Sequence, residues 1–321
     1  MNNILVTGGA GFIGSSLVNA LMLSKDHRIV VYDNLSTGNR DNSSKWLKSP
    51  NFQFTCADML DTSSLKKIVN TCDIVCHLAA NPFVKLGETN TKIDYEQNLL
   101  ATYNLLEAMR MSKCCKKIIF ASSSTIYGEA ETMPTPEKYS PLKPISLYGA
   151  SKLACEAMIS GYCHMFDMSS IVVRLANVIG LINTHGVIYD FITKLKANSK
   201  YLDILGNGEQ NKSYLHIDDC INGLVQLFGI LGKVKFEIFN MGSDDTITVL
   251  EIAEIVINEL SLNSVDKRFV NKFDGRGWNG DVREYLLDCS RLKSIGWKPK
   301  FQSKDAVIKS VREYLKNKIN E

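Results

Sequence analysis

The chain has 321 residues, of which 45% are hydrophobic and 22% charged, with a formal net charge of +3. That length allows one large domain or two fused ones, and the composition is that of an ordinary globular protein. The charge is too small to argue for a nucleic acid or a membrane surface as partner, and no apolar run reaches the roughly 18 residues of a membrane span.

Ile4-Leu5-Val6-Thr7 reads as a short buried strand, followed at once by Gly8-Gly9-Ala10-Gly11-Phe12-Ile13-Gly14 opening a helix that ends near Leu23. An apolar segment running straight into a glycine turn is unlike a secretory leader. Glycines at 8, 11 and 14 suit a tight turn, a close approach of pyrophosphate to N–H groups at a helix N-terminus, and close packing of helix on strand. The second strand, 28–32, delivers Asp33. An acid at this strand tip accepts hydrogen bonds from the adenosine ribose and repels a 2′-phosphate, which points to NAD rather than NADP; the competing reading is a turn-capping Asp.

The alternation continues with a strand over 52–56 leading to Asp58, a helix over 61–70, and a strand over 73–78 that ends in Ala79-Ala80-Asn81. The small Ala79 and Ala80 suit close passage of a ligand. A long helix spans 94–111 and a fifth strand 117–121. Strands separated by helices predict a doubly wound parallel sheet, so the fold class is α/β and Rossmann-like. After Ser122-Ser123-Ser124-Thr125 comes a loop with four of the seven prolines, then a helix over 147–166 and a sixth strand over 170–175. Helices over 187–196, 218–229, 249–260 and 304–318 and a strand over 236–241 complete the chain. These elements divide it into a dinucleotide-binding domain, 1–176, and a smaller mixed α/β lobe, 177–321, with 214–241 returning to the first. Apolar residues beyond one stripe on the two long helices (Leu99, Leu100, Tyr103, Leu106 and Met109; Leu153, Ala157, Met158 and Tyr162) predict a second covered face and a homodimer.

Nine cysteines without a CxxC spacing give neither a zinc site nor a redox pair, and no metal is expected. Cys56, Cys72, Cys76, Cys155 and Cys220 lie in apolar stretches and read as buried free thiols of a reducing cytoplasm.

Within Leu147-Tyr148-Gly149-Ala150-Ser151-Lys152, Tyr148 and Lys152 stand one helical turn apart on one face. A phenol titrates at about 10 and becomes an acid–base group only where its phenolate is stabilised, as a neighbouring ammonium does.

Taken together, TGGAGFIG, Asp33-Asn34-Leu35-Ser36-Thr37-Gly38, HLAAN at 77–81, SSSTIYG, YGASK, THGVIYDF at 184–191, LGNGEQNKSYLHIDD at 205–219 and Ile295-Gly296-Trp297-Lys298-Pro299 resemble the extended short-chain dehydrogenase/reductase family. Within it, the chain looks most like nucleotide-sugar 4-epimerases of the UDP-glucose (galactose) type. The resemblance implies Tyr148 as base, Lys152 as the residue that holds the nicotinamide ribose and lowers the Tyr pKa, and Ser123 as partner of the reacting hydroxyl. It also implies NAD contacts from Gly8, Gly11, Phe12, Ile13, Gly14, Asp33, Asn34, Ser36, Gly38, Asp58, Met59, Leu78, Ala79, Ala80 and Asn98.

For a UDP-sugar substrate the resemblance implies Asn177, Val187, Lys212, Tyr214, Arg276 and Tyr285, with the bulk of Tyr285 excluding an N-acetyl group from the sugar. The chain departs from the family in carrying Lys212 where many relatives have Arg, and Arg276 stands two residues from its usual place. Dehydratases and decarboxylases of this family carry acids at the positions of Ser124 or Thr125, which leaves epimerisation between UDP-glucose and UDP-galactose through a 4-keto sugar. Epimerases of N-acetylhexosamines or uronic acids, and a non-catalytic NAD-sensing protein, are the alternatives.

Overall fold

The computed structural model describes residues 1–181, 183, 185–270 and 274–317. The chain divides into two compact units. One comprises 1–123, 147–174 and 221–239; the other comprises 124–146, 175–220 and 240–321. The proline-rich loop after the fifth strand thus packs with the second unit, and of 214–241 only 221–239 pack with the first.

The first unit is built on strands β1 (Asn2–Thr7), β2 (His27–Asp33), β3 (Phe52–Cys56), β4 (Ile74–His77), β5 (Lys117–Ser123), β6 (Ser169–Leu175) and β7 (Phe236–Met241). They form one seven-stranded sheet in the order β7-β6-β5-β4-β1-β2-β3. Pairing is parallel from β3 through β2, β1 and β4 to β5. The order reverses between β1 and β4, and in open α/β sheets ligands bind outside the carboxyl ends of the strands at that point. Both strands are fully buried apolar runs (Ile4-Leu5-Val6, Val75-Cys76), as expected where helices cover both faces.

Helices α1 (Phe12–Ser24), α2 (Thr62–Val69), α3 (Ala101–Met111), α4 (Leu147–Met165) and α5 (Ile217–Leu227) follow the sequence periodicity closely. Asp61 lies outside α2 as its cap, accepting from the N–H groups of Ser63 and Ser64, which sets the start one residue later than the apolar pattern suggests. The predicted 94–111 helix is interrupted: a short turn Lys92–Asp94 leads into a π-helical turn, Tyr95–Leu100, before α3. Such turns leave backbone groups out of the regular ladder and are frequent at functional sites.

Two readings are corrected here. Leu106 and Met109 do not await an external partner, because α3 packs between α2 and α4 and buries both in the unit's own core with Leu105, Ile118, Phe120 and Ile159. Leu99, Met158 and Tyr162 pack partly against the same core, leaving Tyr103 and Ala157 exposed. Cys56 is exposed, since it ends β3 on the edge of the sheet; Cys72, Cys76, Cys155 and Cys220 are buried free thiols.

The second unit has its own core, in which Ile192, Leu202, Ile204, Ile252, Val256 and Val307 are fully buried. Helices Val187–Ala197, Val249–Glu259 and Ser303–Asn317 supply much of it, the second starting in a Thr248/Glu251 capping box. Lys318, the expected end of the last helix, and Thr184, the first residue of THGVIYDF, lie outside the described residues. Trp297 of the Ile-Gly-Trp-Lys-Pro run is fully buried; its Nε1–H donates to the carbonyl of Asp219, whose carboxylate accepts from the N–H groups of Lys300 and Phe301.

Candidate active site

The glycine loop joins β1 to α1 and needs its glycines for separate reasons. Gly8 has φ +68°, and a Cβ there would lie 2.7 Å from the Ala79 nitrogen, so the loop presses on the end of β4. A Cβ on Gly14 would lie 2.1 Å from the Gly8 carbonyl oxygen. Gly11 caps α1 with no side-chain hydrogen bond, and the first turn holds no acidic residue. The first N–H groups of a helix lack partners within it, so the turn containing Phe12, Ile13 and Gly14 offers free donors and the positive end of the helix dipole to an anion. A diphosphate fits this cradle, which has no side-chain cap of its own.

Asp33 is 8% exposed and ties this loop to the next: Ala10 N–H donates to its Oδ2 (2.9 Å) and Leu35 N–H to its Oδ1 (2.8 Å). The carboxylate therefore orders the loop, with lone pairs left for a ligand. Asn34 donates to Asp58 Oδ2 (2.7 Å) and accepts from the Ser36 N–H, and Gly38 passes so close to Ala10 that a Cβ would lie 2.9 Å from it. A cavity of about 520 Å³ opens here, within the usual size of small-molecule sites. It brings together Asn34, Ser36, Asp58 and Ala80, and continues past Asn81 to Phe83, Leu86 and Ile93. Leu78 lies at the close approach of β4 to Gly8. Met59 is in the hydrophobic core, and its carbonyl accepts from Asn104.

Ser123, Tyr148 and Lys152 share the first unit. The Ser123 side chain hydrogen-bonds the Tyr148 phenol, and the Lys152 Nζ lies 5.7 Å from the Tyr148 ring centre. Lys152 is 3% exposed and donates to the carbonyl of Ala121 (2.8 Å). Burial acts on both groups against their charged forms. It pushes the Tyr148 phenol up, with Asp94 and Cys155 adding to the effect and Ser123 opposing it, and pushes Lys152 down to about 8. Exclusion of water is the largest effect on the phenol, and the Lys152 Nζ turns toward the Ala121 carbonyl.

Glu156, which the motif reading passed over, and Asn98, expected there only as a cofactor contact, hold this group in place. Glu156, one turn beyond Lys152 on the same face, accepts from Arg174 Nη2 (2.7 Å) and Nε (3.1 and 3.3 Å) and from the Ser122 hydroxyl. Asn98, on the π-helical turn, accepts from Asn81 N–H (2.8 Å) and donates to Ser151 Oγ (2.9 Å), which donates to the Tyr148 carbonyl. His77 bridges Thr7 and Thr102, and burial pushes it down to about 3, so it is neutral. The signal for Glu156 was present in the sequence as a charge at helical spacing on the inward face of α4.

The second unit gathers the remaining candidates. Tyr285 is 7% exposed on the short strand Glu284–Tyr285; its hydroxyl accepts from Asn177 N–H (3.0 Å) and bonds the Ser124 side chain. Tyr214 is buried, and its phenol hydrogen-bonds the Asn177 side chain. Lys212 pairs with Asp281 (2.6 Å), while Arg276 donates to Glu129 (2.6 Å) and to the Asp281 carbonyl (2.7 Å). Both cations are thus engaged by acids of their own unit. Val187 opens helix Val187–Ala197 behind Gly186, again without a side-chain cap. Among the described residues, His216, Asp218 and Glu313 are grouped closely enough for an ion. Lys309 already pairs with both carboxylates, and the Asp218 N–H donates to His216 Nδ1, so those donors are spent.

The family described as GDP-mannose 4,6 dehydratase matches residues 5–310. The chain belongs to the extended short-chain dehydrogenase/reductase family, among its nucleotide-sugar epimerases and dehydratases. It is 32% identical to a putative UDP-glucose 4-epimerase of Methanocaldococcus jannaschii, over 98% of each chain. A solved UDP-galactose 4-epimerase superposes with a TM-score of 0.87 at 39% identity, covering 99% of each chain. The UDP-glucuronic acid 4-epimerase of Bacillus cereus, solved with UDP-glucuronic acid and NAD, superposes with a TM-score of 0.87 at 28% identity, covering 98% of this chain and 99% of that one. No described helix is long and apolar enough to cross a membrane.

Proposed function

We propose that this enzyme is a UDP-glucose 4-epimerase that interconverts UDP-glucose and UDP-galactose. NAD is its cofactor, and when bound it accepts a hydride from C4 of the sugar and returns it. The observation that carries the reading is the Ser123–Tyr148–Lys152 group in one unit, with the Ser123 side chain bonded to the Tyr148 phenol, the Lys152 Nζ 5.7 Å from its ring centre, and no acid at Ser124 or Thr125. Ser124 is instead bonded to Tyr285, which leaves nothing at that position to eliminate water.

In this reading Ser123 orients the sugar 4-hydroxyl toward Tyr148, whose phenolate form takes its proton. Burial makes an isolated phenolate costly, so Lys152, charged below about pH 8, has to supply compensating charge as the proton moves. Tyr148 then returns the proton once the 4-keto sugar has presented its other face. Gly8, Gly11, Phe12, Ile13 and Gly14 hold the diphosphate of the cofactor, and Asp33, Asn34, Ser36, Gly38, Asp58, Met59, Leu78, Ala79, Ala80 and Asn98 surround the remainder. Asn177, Val187, Lys212, Tyr214, Arg276 and Tyr285 hold the UDP-sugar, and the bulk of Tyr285 favours an unsubstituted 2-hydroxyl.

The test is turnover of UDP-galactose by purified protein with NAD, followed by chromatography of the product. UDP-glucose should form without net NADH, and Tyr148→Phe should lower kcat by about 10²–10⁴-fold with cofactor still bound. Formation of a 4-keto-6-deoxy product, or a Tyr148→Phe variant that keeps more than about a hundredth of kcat, would overturn the reading.

A further inference from the structure

Asp94 is the most deeply enclosed carboxylate near Tyr148, and the proton transfer proposed above makes no use of it. The residue is 1% exposed. Its Oδ1 accepts from the Asn81 side chain (2.9 Å) and from the Asn98 side chain (3.1 Å), while Oδ2 is buried with no hydrogen-bond partner among the described residues. Leaving a carboxylate oxygen dry and unpaired is costly, so such a group calls for an explanation.

Its surroundings supply one. A Cβ built on Gly87 would lie 3.1 Å from Asp94 Oδ2 and 3.5 Å from the Leu147 Cβ, so the free oxygen lies near the first residue of α4, next to Tyr148. Asn98 donates both to Asp94 and to Ser151, and Ser151 donates to the Tyr148 carbonyl. The charge of Asp94 reaches both members of the pair, favouring the ammonium of Lys152 and disfavouring the phenolate of Tyr148. Few other groups do so. Lys85 and Glu88 of the turn Val84–Glu88 are exposed, and Lys92 pairs with Glu96. On α4, Cys155 acts on both members and Glu156 on Lys152, but Glu156 is already held by Arg174; from β4, the neutral His77 also faces Lys152.

We propose that Asp94 is a positioning residue for proton transfer, whose unpaired Oδ2 fixes the charge balance between Tyr148 and Lys152 and thereby the pH range in which the pair works. This rests on the reading that Tyr148 and Lys152 carry the proton transfer. The sign follows from the two effects. Removing the anion makes the phenolate easier to form, so the acid limb of the pH profile moves down. It also makes the ammonium easier to lose, so the basic limb moves down with it.

The experiment measures kcat/KM against pH for the NAD-loaded wild type, Asp94→Asn and Asp94→Glu. Asp94→Asn keeps the Oδ1 acceptor and drops the charge, and both limbs should shift acidward by about half a pH unit or more, the order expected for loss of a charge that acts on both groups. Asp94→Glu should leave the limbs near the wild-type positions. A merely structural role would lower the curve without moving it. Unmoved limbs in Asp94→Asn, or an equal shift in Asp94→Glu, would overturn the proposal. Should Asp94→Asn fail to fold, Asp94→Ser, smaller and also neutral, must show the same displacement. Tyr148→Phe separates the two levels: full activity there removes the proton-transfer reading itself, whereas an inactive Tyr148→Phe beside an unmoved Asp94→Asn profile removes only the role of Asp94.

Discussion

Glu156→Gln tests whether the buried ion pair behind Lys152 holds the first unit together. Arg174 is 2% exposed and Glu156 4%, so neither has water as an alternative partner. The guanidinium donates to both carboxylate oxygens, and the Ser122 hydroxyl donates to one of them. Gln keeps the shape but leaves the guanidinium buried without a counter-charge. Breaking such a pair by removing one partner costs about 3–5 kcal/mol. With a urea slope of about 2–3 kcal/mol per M, the unfolding midpoint should fall by roughly 1–2 M. Circular dichroism of the sheet during urea titration reads this directly. The double change Glu156→Leu with Arg174→Met should recover much of the loss, because replacing both charges by apolar groups leaves none stranded. A loss under about 1 kcal/mol for Glu156→Gln, the worth of an exposed pair, would refute the reasoning.

Asp33→Ala should narrow the preference for NAD over NADP, measured by calorimetry on apo protein. It should also weaken both cofactors, since the Ala10 and Leu35 amides lose their acceptor; unchanged affinity for NAD would contradict its part in ordering the loop. Tyr285→Ser should gain on UDP-N-acetylgalactosamine relative to UDP-galactose by about tenfold or more in kcat/KM, the worth of relieving about 1–3 kcal/mol of overpacking; no gain would mean that Tyr285 is not the gate. The protein should be a homodimer through the exposed side of α3 and α4, and light scattering that shows a monomer at micromolar concentration would end that expectation.

Much of the fold was legible because it is local. The parallel sheet announces itself through apolar strands alternating with helices, and the glycine spacing with Asp33 marks the dinucleotide loop, since both patterns follow from backbone geometry within a few residues. The pairing of Tyr148 with Lys152 was likewise readable as one turn of helix. What the chain order could not display is the company these groups keep. Asp94 stands 54 positions before Tyr148 and Glu156 18 before Arg174, and nothing in their spacing says that the charge of the first acts on the phenol or that the second pair meets.

Residues read from motifs were assigned by what they are, while their environment decides how they behave. Lys212 and Arg276 are cations in the sequence, yet each is engaged by a carboxylate of its own unit, Asp281 and Glu129. Leu106 and Met109 look like spare apolar surface until α3 is seen between two other helices. Amino-acid type and short-range periodicity determined the strands, the helices and the position of the reactive phenol and ammonium. Only the tertiary structure decided their protonation, because burial and distant charges move a pKa, and both are properties of the packed chain rather than of any stretch of it.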